Sequence, residues 1–185
     1  MRRPYLIIAS VLILLIATLG ASSCASPILR KFEDTRSMMD TFVTITIYAA
    51  DEEKADAAID AGFTRMEEIE RVASIFDEQS QASQLNRDGY LEAPSEDFQQ
   101  LITKSLEYGK LTDGAFDITV QPLLELWEAG LWQEPEAVQQ SRINETLALV
   151  GWEKISLKDD KIFFTVPGMK ITLGGIAKGY AADEA

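Results

Sequence analysis

The sequence predicts a single α+β domain, and three observations carry that prediction. A long segment early in the chain repeats its apolar residues at three- and four-residue steps, the last third switches to short alternating segments bounded by turn residues, and no internal repeat or low-complexity stretch separates the two. In the α+β architecture they imply, one mixed domain begins with a strand and a long helix, continues through further helices and closes on a strand meander.

The first strand is Thr41-Phe-Val-Thr-Ile-Thr-Ile-Tyr48, where Val43, Ile45 and Ile47 alternate with Thr44, Thr46 and Tyr48, the pattern of a half-buried strand. Asp51 then caps a long helix whose apolar face carries Ile59, Phe63, Met66, Ile69, Ala73 and Phe76, while its exposed face is acidic. Residues 77–89 are polar and read as a loop. Ser95 opens a second helix with Phe98, Leu101, Ile102 and Leu106, and a short loop, Thr112-Asp-Gly-Ala-Phe-Asp117, follows it. Pro122 sits where a first helical turn tolerates it, ahead of Leu123, Leu124, Leu126 and Trp127, and Gly130 ends that helix.

A short helix over residues 144–150 stops at Gly151. Residues 154–157, 162–166 and 169–173 then read as three strands, with turns at Asp159-Asp160 and Pro167-Gly168. The last helix starts near Ile176 and reaches Ala185 without a glycine, a cap or a basic last turn, so the expectation is the N-terminal part of a longer domain, incomplete at its C-terminus.

The N-terminus has the organisation of an export signal. Arg2 and Arg3 precede an apolar run from Tyr5 to Leu19 and then Gly20-Ala-Ser-Ser-Cys24. The run is shorter than the ~20 residues that span a bilayer, which favours a cleaved signal. Small residues before the lone cysteine resemble a bacterial lipobox, giving a signal peptide over residues 1–23, a lipidated Cys24 as first mature residue, and a polar tether over residues 24–37. A signal anchor, or an ordinary signal peptide with an incidental cysteine, remains the alternative. The lipobox reading places the protein in the cell envelope, held by lipid on the outer side of the cytoplasmic membrane or in the periplasm, with residues 38–185 as its folded part.

The charge balance is −13, from 17 basic and 30 acidic residues, and it grows more negative when the signal arginines leave. A strongly acidic chain argues against nucleic acid as a partner. The absence of histidine excludes Ser-His-Asp and Cys-His catalysis and a His/Cys zinc site for these residues. Carboxylate, lysine, hydroxyl and tyrosine chemistry remain, and any metal would be hard and oxygen-ligated. A single cysteine also precludes intramolecular disulfides, so the roughly 160 residues after the signal must be held by their core.

The segment most suggestive of a ligand is Ile171-Thr-Leu-Gly-Gly-Ile-Ala-Lys-Gly-Tyr-Ala-Ala-Asp183. It joins an extended run to a helix through a glycine turn, so that backbone N–H groups and one lysine can approach an anion. It lacks the P-loop spacing and the G-x-G-x-x-G dinucleotide spacing. A tight strand-to-helix turn would use the same glycines.

Four separated pieces complete the pattern: Met39-Asp-Thr41 at a strand start, Ser74-Ile-Phe-Asp-Glu-Gln-Ser-Gln-Ala-Ser-Gln-Leu-Asn86, Thr112-Asp-Gly-Ala-Phe-Asp-Ile-Thr-Val-Gln-Pro-Leu-Leu-Glu-Leu-Trp127, and residues 173–183. In this order they resemble the FAD:protein FMN transferase (ApbE) family, from Met39 to the last residue. The resemblance implies an enzyme that binds FAD and Mg²⁺, cleaves the pyrophosphate, joins FMN through its phosphate to a threonine hydroxyl of an acceptor protein, and releases AMP. The acceptor it implies is a membrane-bound or exported redox subunit. It also implies that Met39 and Phe76 lie along the flavin, that Ala115, Phe116 and Asp117 hold the cofactor, that Thr172 and Lys178 bind it near the glycine turn, and that the Gly175 carbonyl ligates Mg²⁺. The family's remaining Mg²⁺ ligands, an aspartate and a threonine, belong to a segment beyond Ala185, so the present residues alone are expected to be inactive.

Three positions depart from the family pattern. Asp40 stands where glycine is usual, Phe76 where tyrosine is frequent, and Thr172 where an acidic residue is common; Phe76 keeps a stacking face but lacks the hydroxyl.

Each implied role has a plainer alternative. Lys178 reads also as an exposed first-turn lysine, although a cation at a helix N-terminus is unfavourable without a nearby anion. Asp117 reads also as a helix cap, Phe76 and Phe116 as core, Met39 as a structural residue, and Thr172 as an ordinary β-branched strand residue. Gly175 would act through its carbonyl, so its identity reports backbone shape. Asp183 falls one turn after Gly179 and reads as a solvated helix residue. Glu67, Glu68, Glu70 and Asp77 read as a solvated helix face, and Trp127 and Trp132 as packing anchors. An FAD pyrophosphatase on the same scaffold, a non-catalytic flavin-binding lipoprotein and a structural envelope lipoprotein are the competing functions.

Overall fold

The computed structural model describes residues 28–185. Its first element is β1 (Arg30–Met38), which pairs antiparallel with β2 (Thr41–Ala49) from Arg30 opposite Ala49 to Met38 opposite Thr41. The expected polar tether therefore gives way to a strand from Arg30 onward. Its inward positions include Asp34 and Arg36, so the alternation is carried largely by charged residues and no apolar period marks it. Arg36 is accommodated because its guanidinium lies 4.2 Å from the centre of the Phe63 ring and bonds to Asp34 and Asp60. Phe32, Val43, Ile45 and Ile47 on the same face pack against the core.

The helix α1 (Glu52–Ala73) lies across that face. Asp51 caps it as expected, accepting the Lys54 N–H at 3.0 Å, and Ile59, Phe63, Met66, Ile69 and Ala73 are buried. Gly62 permits the close approach of the hairpin, since a Cβ there would stand 2.9 Å from the Ile45 Cδ1. Ser74 ends the helix, so Phe76 is not on its apolar face: it lies beyond the end and is 81% exposed.

The stretch 77–89, expected as a loop, contains α2 (Gln81–Asp88), capped by Ser80 and terminated by Gly89 at φ 76°. Only Ala82 and Leu85 of this helix are buried, too few to show a period. Next come β3 (Tyr90–Glu92) and α3 (Glu96–Leu111), whose cap is Ser95 and whose buried face carries Phe98, Leu101 and Ile102. A 3₁₀ turn (Ile118–Val120) leads into α4 (Gln121–Glu128), with Pro122 in its first turn and Gly130 in the left-handed region after it. The helix expected over 144–150 is longer and earlier, α5 (Glu136–Leu147); none of its residues is buried, so no apolar stripe outlines it.

β4 (Ile155–Lys158) and β5 (Lys161–Phe164) form the expected hairpin about Asp159-Asp160, but the third strand of that sheet is β3, in the order β3-β5-β4. Residues 169–173 form no ladder. Their backbone is satisfied otherwise: Ile171 N–H donates to the Asn86 Oδ1 and Thr172 N–H to the Ile118 carbonyl. The chain closes on α6 (Ala177–Glu184).

The core joins α1, α2, α3, the extended run and α6 through Phe63, Ile69, Leu85, Phe98, Ile171, Leu173 and Ala181. A polar hub stitches the same helices at the surface. Arg65 of α1 donates to Asp97 of α3 at 2.7 Å and to Glu184 of α6 at 2.8 Å, and the Tyr180 hydroxyl donates to Asp97 at 3.1 Å. The Arg65 guanidinium, more than the weaker Tyr180 bond, holds the Asp97 carboxyl below its usual range against the opposing effect of burial. Burial and the bond to Asp97 push the Tyr180 phenol up to about 12.

Candidate functional site

The end of α1, the β1–β2 turn and the glycine turn enclose a cleft of about 450 Å³ lined by residues including Met39, Asp40, Phe76, Thr172, Gly174 and Lys178. Three segments that are far apart in sequence thus meet there. On one side the turn Met39-Asp40 places two successive non-glycine residues in the left-handed region, at φ 50° and 56°. On the floor, α1 stops at Ser74, whose hydroxyl accepts the Phe76 N–H and so helps set the chain's exit beneath the exposed Phe76 ring. On the other side Ile171 and Leu173 point into the core, which turns the intervening Thr172 toward the cleft.

The glycine turn is closed by local bonds. Thr172 Oγ1 accepts the Gly174 N–H at 3.3 Å, and the Leu173 carbonyl accepts from Ile176 and Ala177 at the start of α6. Lys178, the second residue of α6, stands exposed on the rim. None of the ion pairs formed among the described residues uses it.

A second, wider recess of about 840 Å³ opens beside Gly175, where Phe116, Tyr108, Thr112, Gly179, Tyr180 and Asp183 contribute to the lining. The Tyr108 and Phe116 rings meet edge to face at 6.0 Å. Phe116 packs against the backbone at Gly175, where a Cβ would stand 3.2 Å from its ring. The residues that the sequence nominates are therefore divided. Met39, Phe76, Thr172 and Lys178 share the first cleft, Phe116 and Gly175 share the second recess, and Ala115 and Asp117 line neither.

Asp117 is engaged in holding the fold. One carboxylate oxygen accepts from the Thr119 N–H at 2.8 Å and the Thr119 hydroxyl at 2.6 Å, and the other accepts the Trp152 N–H at 2.9 Å. The cap alternative describes these contacts. Among the described residues no group of three or more His, Cys, Asp or Glu side chains is placed to hold a metal. Cys24 and the apolar run before it lie outside the described residues; among the described ones no helix is long and apolar enough to cross a membrane.

Two residues shape the first cleft in ways that sequence reading misses: Asn86, to which it gives no role, and Glu70, which it reads as part of a solvated helix face but which is half-buried and lines the cleft. Glu70 accepts the Met39 N–H at 2.9 Å, and Asn86 pairs with Ile171 through both ends of its amide, accepting at 2.7 Å and donating at 2.9 Å. They reach 31 and 85 residues along the chain, so no local period reveals them.

Known proteins resemble this chain in sequence and in fold. The model of the ApbE family matches residues 39–185. A Haemophilus influenzae protein named FAD:protein FMN transferase is 29% identical over 127 residues, covering 64% of this chain and 37% of the relative. A Klebsiella pneumoniae protein of the same name is 28% identical over 172 residues, covering 89% of this chain and 49% of the relative. Among solved structures, the ApbE protein of Thermotoga maritima superimposes with a TM-score of 0.71 at 30% identity, over 83% of this chain and 50% of that one. The flavin transferase ApbE of Vibrio cholerae shares the fold with a TM-score of 0.68 at 23% identity, over 84% of this chain and 52% of that one. The present chain spans about half the length of these relatives or less. With a family match that runs from the hairpin turn through the glycine turn to the last residue, the chain belongs to the ApbE family.

Proposed function

We propose that the full-length protein transfers FMN from FAD to a threonine hydroxyl of an acceptor protein. The bond between the two phosphorus centres of FAD breaks at its bridging oxygen, a phosphoester forms between the FMN phosphorus and the threonine oxygen, the hydroxyl proton leaves, and AMP departs. The observation that carries this reading is the meeting of Met39, Phe76, Thr172 and Lys178 in one cleft beside a glycine turn. It offers an aromatic face for a flat ring, a thioether at the wall, and, for a phosphate, a cation that pairs with no carboxylate among the described residues. The names of the relatives, FAD:protein FMN transferase, support the same chemistry.

Mg²⁺ enters this reading through the family resemblance, with the Gly175 carbonyl as this chain's contribution. Among the described residues no group of three or more His, Cys, Asp or Glu side chains adds to it. An acceptor that is an exported or membrane-bound redox subunit, and an anchor at Cys24 in the cell envelope, belong to the same proposal. They rest on the sequence of residues 1–24 and on the family resemblance.

The test is FAD binding and product analysis with full-length protein. Flavin fluorescence should be quenched on binding, Lys178→Ala should weaken binding about tenfold through loss of a charge-assisted contact, and an acceptor threonine should become flavinylated with AMP released. Free FMN as the only product would favour the pyrophosphatase alternative. Absence of flavin binding would remove the cofactor assignment.

A further inference from the structure

We propose that Glu70 is a positioning residue that holds Met39 in the wall of the cleft; the proposal rests on the flavin reading for its functional consequence. Met39 and Asp40 form the two-residue loop of the β1–β2 hairpin, both with φ > 0. Such a loop favours Asn-Gly or Gly-Gly, because a side chain in the left-handed region crowds its own backbone. Aspartate tolerates that region but methionine does not, and Met39 is also buried, only 9% exposed. In a two-residue hairpin the N–H groups of the loop residues lie outside the ladder, so a buried loop residue needs a partner from elsewhere. Glu70 supplies it at 2.9 Å.

The location of Glu70 points the same way. It lies in the last turn of α1, where the helix dipole disfavours a carboxylate, and its own carbonyl accepts the Ser74 N–H that closes the helix. A carboxylate is retained there because it reaches across to the hairpin. Glu70 thereby ties the tip of the hairpin to the end of the helix from which Phe76 departs, and so sets the spacing between Met39 and Phe76 across the cleft. It acts on a ligand through Met39.

The reach of the side chain and its charge are separable. Glu70→Gln keeps an acceptor oxygen at the same distance and loses the charge. Glu70→Asp keeps the charge and withdraws it by one methylene, about 1.5 Å, beyond hydrogen-bond range of the Met39 N–H. With full-length protein, FAD affinity measured by fluorescence should stay within about threefold of the unaltered protein for Glu70→Gln and fall roughly tenfold for Glu70→Asp. In a Met39→Ala background Glu70→Asp should cost no further affinity.

The ¹³C-methyl signal of Met39 should shift in Glu70→Asp and stay in place in Glu70→Gln, a readout that needs no ligand. Loss of affinity in Glu70→Gln, retention in Glu70→Asp, an additive effect with Met39→Ala, or an unmoved methyl signal in Glu70→Asp each overturns the proposal. If the unaltered protein binds no FAD, the flavin reading fails while the methyl signal still decides whether Glu70 positions Met39.

Discussion

The two walls of the cleft are anchored in different ways. The wall formed by residues 171–178 is fixed by Asn86 on one side of its backbone, by the Ile118 carbonyl on the other, and through α6 by the Arg65, Asp97 and Tyr180 hub. The opposite wall is the tip of a two-stranded hairpin, whose turn is in the left-handed region and has one side-chain bond to α1 near it, from Glu70. Buried side chains, Ile171 and Leu173, lock the first wall. The second presents Met39 from a conformation that a methionine adopts at a cost. The comparison separates a wall whose shape is over-determined from one whose shape depends on few contacts.

The largest effect is expected from Asn86→Ala. It strands the N–H and carbonyl of Ile171, a fully buried residue, and should destabilise the protein by about 2–3 kcal/mol, read by chemical denaturation. A loss under about 0.5 kcal/mol would mean that the glycine wall does not depend on that amide.

Titration of the hub should give an intermediate effect. Asp97 is held below its ordinary value, so its contribution is fully present above about pH 4 and is lost as pH falls through the depressed value. Tyr180 runs the other way: its phenol is raised from 10.0 to about 12, so the unfolded chain releases the proton first and stability falls as pH rises across that interval. Tyr180→Phe should flatten the alkaline fall in melting temperature, and an unchanged alkaline slope would show that Tyr180 does not govern it.

The smallest effect concerns the hairpin wall. Asp40→Gly relieves the left-handed backbone at φ 56° and should raise stability by about 0.5 kcal/mol, since the strain relieved is partly offset by the freer unfolded chain. A destabilised Asp40→Gly protein would show that the aspartate contributes more than its backbone conformation costs.

Much of the domain was legible in the sequence because its strongest elements advertise themselves locally. The α1 stripe, the Asp51 and Ser95 caps, Pro122 at the start of α4 and the strand from Thr41 are all found as expected. Among the elements missed or misplaced, β1, α2 and α5 share one property. β1 faces inward partly with Asp34 and Arg36, α2 buries only Ala82 and Leu85, and α5 buries nothing, so none carries the period on which a sequence reading depends. The extended run 169–173 has the residues of a strand but takes its hydrogen bonds from a side chain and a 3₁₀ turn.

The candidate site divides along the same line. Met39, Phe76, Thr172 and Lys178 were nominated by motif and are brought together, whereas Asp117, nominated beside them, spends both carboxylate oxygens on Thr119 and Trp152.

By itself the sequence determined the amphipathic scaffold, the helix caps, the exclusion of histidine and disulfide chemistry among these 185 residues, and a glycine turn followed by a lysine. These follow from residue type and from spacings of a few positions. Only the tertiary structure decided that β3 completes the small sheet, that Asn86 and Glu70 hold the two walls, and that Phe76 stands in the cleft instead of the core. Those outcomes depend on backbone groups finding partners tens of residues away, a requirement set by burial and not by any local period.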